Sequence, residues 1–189
     1  MTGVAGLLLA AGRGSRLGRP KALVEVDGRR LVDRAVATLR DGGCAPVVVV
    51  SGAAALDLPG VLVAHNPDWA TGMGSSLRTG LGALPAEAGA VVVALVDQPG
   101  VGPEVVRRLI AAYDAGAEVA VAAYDGAPRN PVLLGRAHWP AVAESATGDR
   151  GARAFLRAHP DLVTAVECAD IASADDIDTP DDLARYTDS

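Results

Sequence analysis

Aromatic residues are scarce: Phe, Trp and Tyr make up 3% of the 189 positions. A core of stacked rings is excluded, and Ala, Val and Leu must fill the interior. Only two cysteines occur, Cys44 and Cys168, too far apart for a CxxC pair. The three histidines, His65, His138 and His159, have no metal-ligand spacing to them. A zinc site of Cys and His ligands is therefore not expected, and the thiols are expected to be reduced, buried and cytoplasmic. Long apolar runs are missing too. Val4–Ala11 is too short to span a membrane and reads as a buried strand. Nor is there an excess of base: 17 Lys and Arg against 23 Asp and Glu leave a net charge of -6. That balance argues against nucleic acid as a partner, while a few placed cations still suit a small anionic ligand.

What is present is a chain with 50% hydrophobic residues, enough for a packed core. Apolar runs at Val4–Ala10, Val47–Val50, Val61–Ala64, Val91–Val96, Val119–Ala123, Val132–Leu134 and Val163–Val166 read as strands. Between several of them lie helical patterns. Leu31, Ala35, Val36 and Leu39 recur at helical spacing before Gly42-Gly43; Leu77, Leu81 and Leu84 follow a Gly-rich entry; Pro103 opens a third helix. Ala152–Ala158 and Pro180–Tyr186 read as later helices, and Gly126–Asn130 as a surface loop. Strands apolar on both faces and alternating with helices imply an α/β fold, a mostly parallel sheet covered on both sides. With no repeat, low-complexity tract or linker, residues 1–189 are expected to form a single domain.

Four stretches carry chemistry. The loop after the first strand, Leu9-Ala10-Ala11-Gly12-Arg13-Gly14-Ser15-Arg16-Leu17-Gly18-Arg19-Pro20-Lys21, leaves a strand where open α/β sheets bind ligands. Gly12 and Gly14 let backbone N–H groups approach an anion, and Arg16 and Lys21 add charges for a triphosphate. A dinucleotide fingerprint would need glycine where Leu17 stands, and a P-loop would need Gly before Lys21 and Ser or Thr after it. Second, Asp97 follows the most hydrophobic strand directly, placed either to hold Mg²⁺ or to cap the next turn. Third, Asn66-Pro67-Asp68-Trp69-Ala70-Thr71-Gly72-Met73-Gly74-Ser75-Ser76-Leu77 offers Gly72, Ser75 and Ser76 at a helix start to a base or ribose. Trp69 there either stacks on a flat ring or covers the core edge. Fourth, Asp175-Asp176-Ile177-Asp178-Thr179-Pro180-Asp181-Asp182 ends in a helix start. Asp181 and Asp182 are expected to cap it, while Asp178 precedes the cap and can reach the crevice.

The first loop resembles the signature L-A-A-G-x-G/S-x-R-M/L-G-x-x-K of the nucleotidyltransferases, with Leu17 at the usual Met position. Asn66 to Leu77 and Asp97-Gln98-Pro99 are similar to the molybdenum cofactor cytidylyltransferase branch. The terminal Asp-Ile-Asp-Thr-Pro resembles that branch's ending. Gly148-Asp149-Arg150-Gly151-Ala152-Arg153 resembles another stretch of it; the usual Gly-His-Pro-Val is replaced by Arg129-Asn130-Pro131-Val132. The resemblance implies a three-layer Rossmann-like fold and Mg²⁺-dependent transfer of a nucleotide, CMP from CTP, to molybdopterin. It implies nucleotide contacts from Leu9, Ala10, Ala11, Gly12, Gly14, Ser15, Arg16, Lys21, Gly72, Ser75, Ser76 and Asp97. Arg16, Lys21 and Asp97 would be catalytic, and Asp97 and Asp178 would hold the metal. A molybdenum hydroxylase is the implied recipient. Proteins similar to this branch also include NAD(P)H-dependent reductases of nicotine blue. A non-catalytic carrier of molybdenum cofactor is a third possibility.

Overall fold

The computed structural model describes residues 3–187; the outermost residues of the expected 1–189 unit lie outside that range. In chain order the elements are β1 (Val4–Leu9), β2 (Glu25–Val26), β3 (Arg29–Arg30), α1 (Leu31–Asp41), β4 (Val47–Ser51), β5 (Leu62–His65), α2 (Met73–Ala83) and β6 (Ala90–Leu95). They continue as α3 (Pro103–Asp114), β7 (Val119–Tyr124), β8 (Ala127–Gly135), α4 (Trp139–Ser145), α5 (Arg153–Ala158), β9 (Val163–Glu167) and α6 (Pro180–Thr187).

The main sheet has seven strands in the order β5-β4-β1-β6-β8-β7-β9. It is parallel except for β8, which runs antiparallel to both β6 and β7. Every residue of β1 and β4 is buried, as the unbroken apolar runs require of strands covered on two faces. Alternate residues feed opposite cores. Leu8, Val49 and Val92 pack with Leu31, Val36 and Leu109 of α1 and α3. Leu7, Val48 and Val91 pack with Leu77, Trp139, Val142 and Phe155 of α2, α4 and α5. Each fully buried Leu or Val among them contributes roughly 1.5–3 kcal/mol over its exposed state. Cys44 and Cys168 are free and buried, as expected, and burial pushes the Cys44 thiol up to about 12. Among the described residues no helix is long and apolar enough to cross a membrane.

β1 lies between β4 and β6, with β5 beyond β4 and β8 beyond β6. The winding direction therefore reverses beside β1, and the crevice of a doubly wound sheet opens there, at the carboxyl ends of β1 and β6.

The segment read as a surface loop, Gly126–Asn130, is mostly strand. β8 begins at Ala127, pairing Pro128 with Ala123 of β7, while its pairing with β6 starts at Val132. Residues 127–130 thus overhang β6 and are bonded on one side only, which is where prolines are tolerated in a strand. The strand is hidden in the sequence by Pro128, Pro131 and exposed polar residues.

Candidate functional site

Leaving β1, the chain crosses to β4: the Ala10 N–H donates to the Val50 carbonyl and the Ala53 N–H to the Ala11 carbonyl, at 3.0 and 3.1 Å. The loop then folds on itself. The Leu17 N–H donates to the Gly14 carbonyl, and Gly14 takes a φ of +62°. A Cβ at Gly14 would lie 2.1 Å from the Arg19 carbonyl oxygen, so both the dihedral and the space demand glycine. Among the described residues, the N–H groups of Gly12, Arg13, Gly14 and Ser15 donate to no protein acceptor. They form a short row of unpaired donors, the feature by which a glycine-rich loop receives phosphate oxygens.

Beside this row is an open cleft of about 430 Å³ lined by Arg13, Gly14, Ser15, Gly18, Arg19, Pro20, Ala53 and Trp69. Arg16 of the signature is exposed and does not line the cleft, whereas its neighbours Arg13 and Arg19 do. The motif had drawn attention to Arg16; the two flanking arginines were legible only as extra positive charge in a glycine-rich turn.

Lys21 closes the loop with a different partner set from a free phosphate ligand. Its Nζ donates to Asp97 Oδ2 and to Asp178 Oδ1, each at 2.5 Å. Lys21 and Asp97 side chains are each 17% exposed and Asp178 is 38% exposed, so the bridge is half-screened from water. Burial pulls the Lys21 ammonium down, but Asp97 and Asp178 pull it up further, and it stands above the ordinary lysine value. Asp97 therefore turns into the crevice, and among the described residues its side chain makes no capping bond to the turn behind it.

Asp178 arrives from the far end of the chain. Residues 173–179 cross the carboxyl end of β6 as a strap. The Ile177 N–H donates to the Asp97 carbonyl at 2.8 Å, and the Ile177 side chain is fully buried. On the other flank the Asp178 N–H donates to Asp182 Oδ2 at 3.1 Å. Asp182 also accepts from the Thr179 N–H and hydroxyl, and its own N–H donates to Thr179 Oγ1, a reciprocal cap for α6. Asp182 thus caps as expected, and Asp181 is exposed.

Asn66 to Leu77 is built differently from its reading as a base contact. Asn66, 1% exposed, donates from Nδ2 to Ser75 Oγ at 2.9 Å and Ser76 Oγ at 3.0 Å, and its Oδ1 accepts from the Asp68 N–H. Ser75 Oγ in turn faces the Asp68 and Gly72 carbonyls. Both serine hydroxyls are buried in this network, which fixes the turn that carries Trp69 into the cleft wall. Gly72 and Gly74 receive the loop 146–149: a Cβ on Gly72 would lie 2.5 Å from the Gly148 carbonyl carbon, and one on Gly74 would lie 2.7 Å from the Ala146 carbonyl. Gly148-Asp149 is thereby packed on the start of α2. His138 pairs with Glu118 at 2.6 Å and His159 stacks on Phe155 at 4.4 Å, both in packing roles.

The MobA-like NTP transferase domain family matches residues 6–163. The chain belongs to this family. A nicotine blue oxidoreductase of Paenarthrobacter nicotinovorans is 41% identical over 196 residues, spanning 96% of this chain and 95% of its own. Rv0371c from Mycobacterium tuberculosis H37Rv superposes with a TM-score of 0.84 at 28% identity, over 100% of this chain and 99% of that chain. A manganese complex of Rv0371c gives a TM-score of 0.81 at 28% identity over 100% of both. The family match covers the loop, Asn66 to Leu77 and Asp97, and it ends before the strap that bears Asp178.

Proposed function

We propose that the chain transfers a nucleoside monophosphate, CMP from CTP, to a phosphorylated acceptor, molybdopterin, and releases pyrophosphate, with Mg²⁺ as its divalent cation. The observation that carries this reading is the convergence of Asp97 and Asp178 on one ammonium group, each 2.5 Å away, beside unpaired loop amides. Two carboxylates drawn from 81 residues apart around one positive charge form a ready cation site. Among the described residues no cluster of three or more His, Cys, Asp or Glu is shaped to hold a metal. Two carboxylates completed by substrate phosphates suit Mg²⁺, which keeps few protein ligands. When bound there, Mg²⁺ supplies charge neutralisation at the transferred phosphorus and the departing pyrophosphate.

The remaining work belongs to the chain. The N–H groups of Gly12 to Ser15 bind the β- and γ-phosphates. Arg13 and Arg19 line the cleft at the same level, and Arg16 reaches from outside. Lys21 turns from the carboxylates onto a phosphate oxygen as the triphosphate enters, so its charge stays in the site while its partner changes. An acceptor phosphate oxygen forms the new bond to the α-phosphorus as the bond to the β-phosphate oxygen breaks. The proposed rate gain comes from holding these groups in line and from fixed positive charge. The unit is residues 1–189 acting in the cytoplasm, with a molybdenum hydroxylase as recipient of the product.

Pyrophosphate release from CTP, GTP and ATP, with and without molybdopterin, tests the reaction. CTP- and acceptor-dependent release is expected; no release from any triphosphate by folded protein overturns it. Asp97→Ala is expected to abolish turnover with little loss of fold, and unchanged turnover removes Asp97 from the metal site.

A second reading is supported by the 41% identity to nicotine blue oxidoreductase over 96% of the chain. In it the same loop holds a dinucleotide pyrophosphate and Trp69 lies against a flat substrate. NADPH oxidation with flat dyes, in the absence of triphosphate, distinguishes the two. Binding of molybdenum cofactor without either activity marks a carrier.

A further inference from the structure

Gln98 follows Asp97 and is only 8% exposed, an unusual depth for an amide side chain in a turn. Both bonds its Nε2 makes run to the strap: to Asp176 Oδ1 at 2.8 Å and to the Ala174 carbonyl at 3.2 Å. Asp97 itself holds the strap one residue further on, through its carbonyl and the Ile177 N–H. The dipeptide Asp97-Gln98 thus grips three successive points, Ala174, Asp176 and Ile177, and the next residue is Asp178.

We propose that Gln98 is a positioning residue whose amide fixes the strap so that Asp178 meets Asp97 at cation-sharing distance. The inference rests on the metal site of the preceding subsection. Its physical content is a separation of roles among neighbouring acids. Three carboxylates, of Asp97, Asp176 and Asp178, crowd one end of β6. The amide of Gln98 engages Asp176, while the Lys21 ammonium bonds Asp97 and Asp178. Asp176 Oδ1 is met by Gln98 Nε2 at 2.8 Å, and a carboxylate oxygen held in this way needs an N–H or O–H opposite it. A donor is therefore required at position 98. An acid there meets Asp176 charge to charge, and a shorter amide does not span the gap. Groups that orient metal ligands from outside the coordination shell typically change metal affinity by about 10–100-fold when altered.

The test is Mn²⁺ binding to the free protein, followed by the loss of the free-ion paramagnetic resonance signal, with no nucleotide present. Gln98→Glu and Gln98→Asn are expected to weaken Mn²⁺ binding by about tenfold or more while the thermal transition stays cooperative. In the exchanged pair Gln98→Glu with Asp176→Asn, the donor lies on the strap and the acceptor on the turn, so binding is expected to recover to within about threefold of wild type, short of full because the Ala174 carbonyl loses its donor. The KM for CTP at saturating metal is expected to stay within about twofold in all three, because Gln98 does not touch the loop that holds the phosphates. Wild-type binding with both single variants unchanged overturns the inference alone. Loss in the single variants with no recovery in the exchanged pair also overturns it, since simple packing damage then explains the data. Failure of wild type itself to bind Mn²⁺ overturns the metal site of the proposed function and this inference with it.

Discussion

Replacing Lys21 with Met is expected to strengthen metal binding to the nucleotide-free protein while abolishing nucleotide transfer. Lys21 occupies the position between the carboxylates, and in the proposed metal site a divalent ion displaces it. Two oxygens that both lie 2.5 Å from one nitrogen are at most about 5 Å apart. Without the ammonium, their mutual repulsion is roughly 1 kcal/mol at the dielectric of water and roughly 3 kcal/mol at an effective value near 20. Asp178 is 38% exposed, so solvent screening favours the lower half of that range. Relief of this repulsion, roughly 1–2 kcal/mol, by an incoming cation corresponds to roughly a 5- to 30-fold gain in Mn²⁺ affinity. Titration calorimetry with Mn²⁺, and thermal melts with and without the metal, read it directly. The variant is expected to melt below wild type in chelator and to gain more on adding metal. The Lys21 value is raised, so on the alkaline side the contribution of the ammonium is present below the unfolded lysine value and is lost only as pH rises through the still higher folded one. An affinity for Mn²⁺ equal to or weaker than wild type would refute the reasoning, because Lys21 would then be assisting the metal instead of standing in its place.

Gly74→Ala places a methyl group 2.7 Å from the Ala146 carbonyl, a backbone neighbour that has no rotamer to yield; a loss of roughly 1–3 kcal/mol, or about 3–10 °C in Tm, is expected in thermal unfolding. Asn66→Ala removes the donor shared by Ser75 and Ser76 and the acceptor for the Asp68 N–H; a loss of roughly 1–3 kcal/mol in denaturant unfolding is expected, together with a change in Trp69 fluorescence. Asp182→Asn is expected to lower stability at pH 7 and to match wild type in strong acid. The Thr179 hydroxyl and the Asp178 and Thr179 N–H groups hold the Asp182 carboxyl below the usual aspartate range, so its contribution is present above the unfolded value and disappears as pH falls through the folded one. A stability gap that persists below that range refutes the capping role.

Most of the sheet was legible because its strands are buried on two faces and read as unbroken runs of Val, Ala and Leu, and α1 and α3 because their apolar residues recur at helical spacing. The α/β class and the mostly parallel order followed from that alone. Three features escaped for identifiable reasons. The first part of β8, ahead of the strand run Val132–Leu134, carries Pro128 and Pro131 where it overhangs β6, so its composition imitates a loop. α4 is one short Ala-rich helix with Pro140 in its first turn, too brief for a period to emerge. The ribbon of β2 and β3 has two residues per strand, although Asp27-Gly28, both with positive φ, is a strong turn signal between them. In the site, Asp97 and Asp178 were visible as acids at the edge of a crevice. That Lys21 joins them, that Gln98 anchors the strap, and that Ser75 and Ser76 are spent on Asn66 are facts of tertiary packing that no local pattern encodes. Arg13 and Arg19 were present in the loop but outranked by the motif residue between them.

The bond from Lys21 to Asp178 joins residues 157 apart. On a ribosome, β1, the glycine-rich loop and β6 are all exposed before the partner carboxylate has been made. Closing so large a circuit of chain is entropically costly until the intervening sheet and helices have shortened it. On this ground the Lys21–Asp178 contact is expected to close after the sheet has formed. If the proposed site is right, immature or partly unfolded chains would carry the glycine-rich loop without the paired acids, able to hold an anion but unable to gather a metal over it. A folding assay read by Mn²⁺ capture would therefore report completion of the molecule, and would lag behind any spectroscopic signal from the sheet.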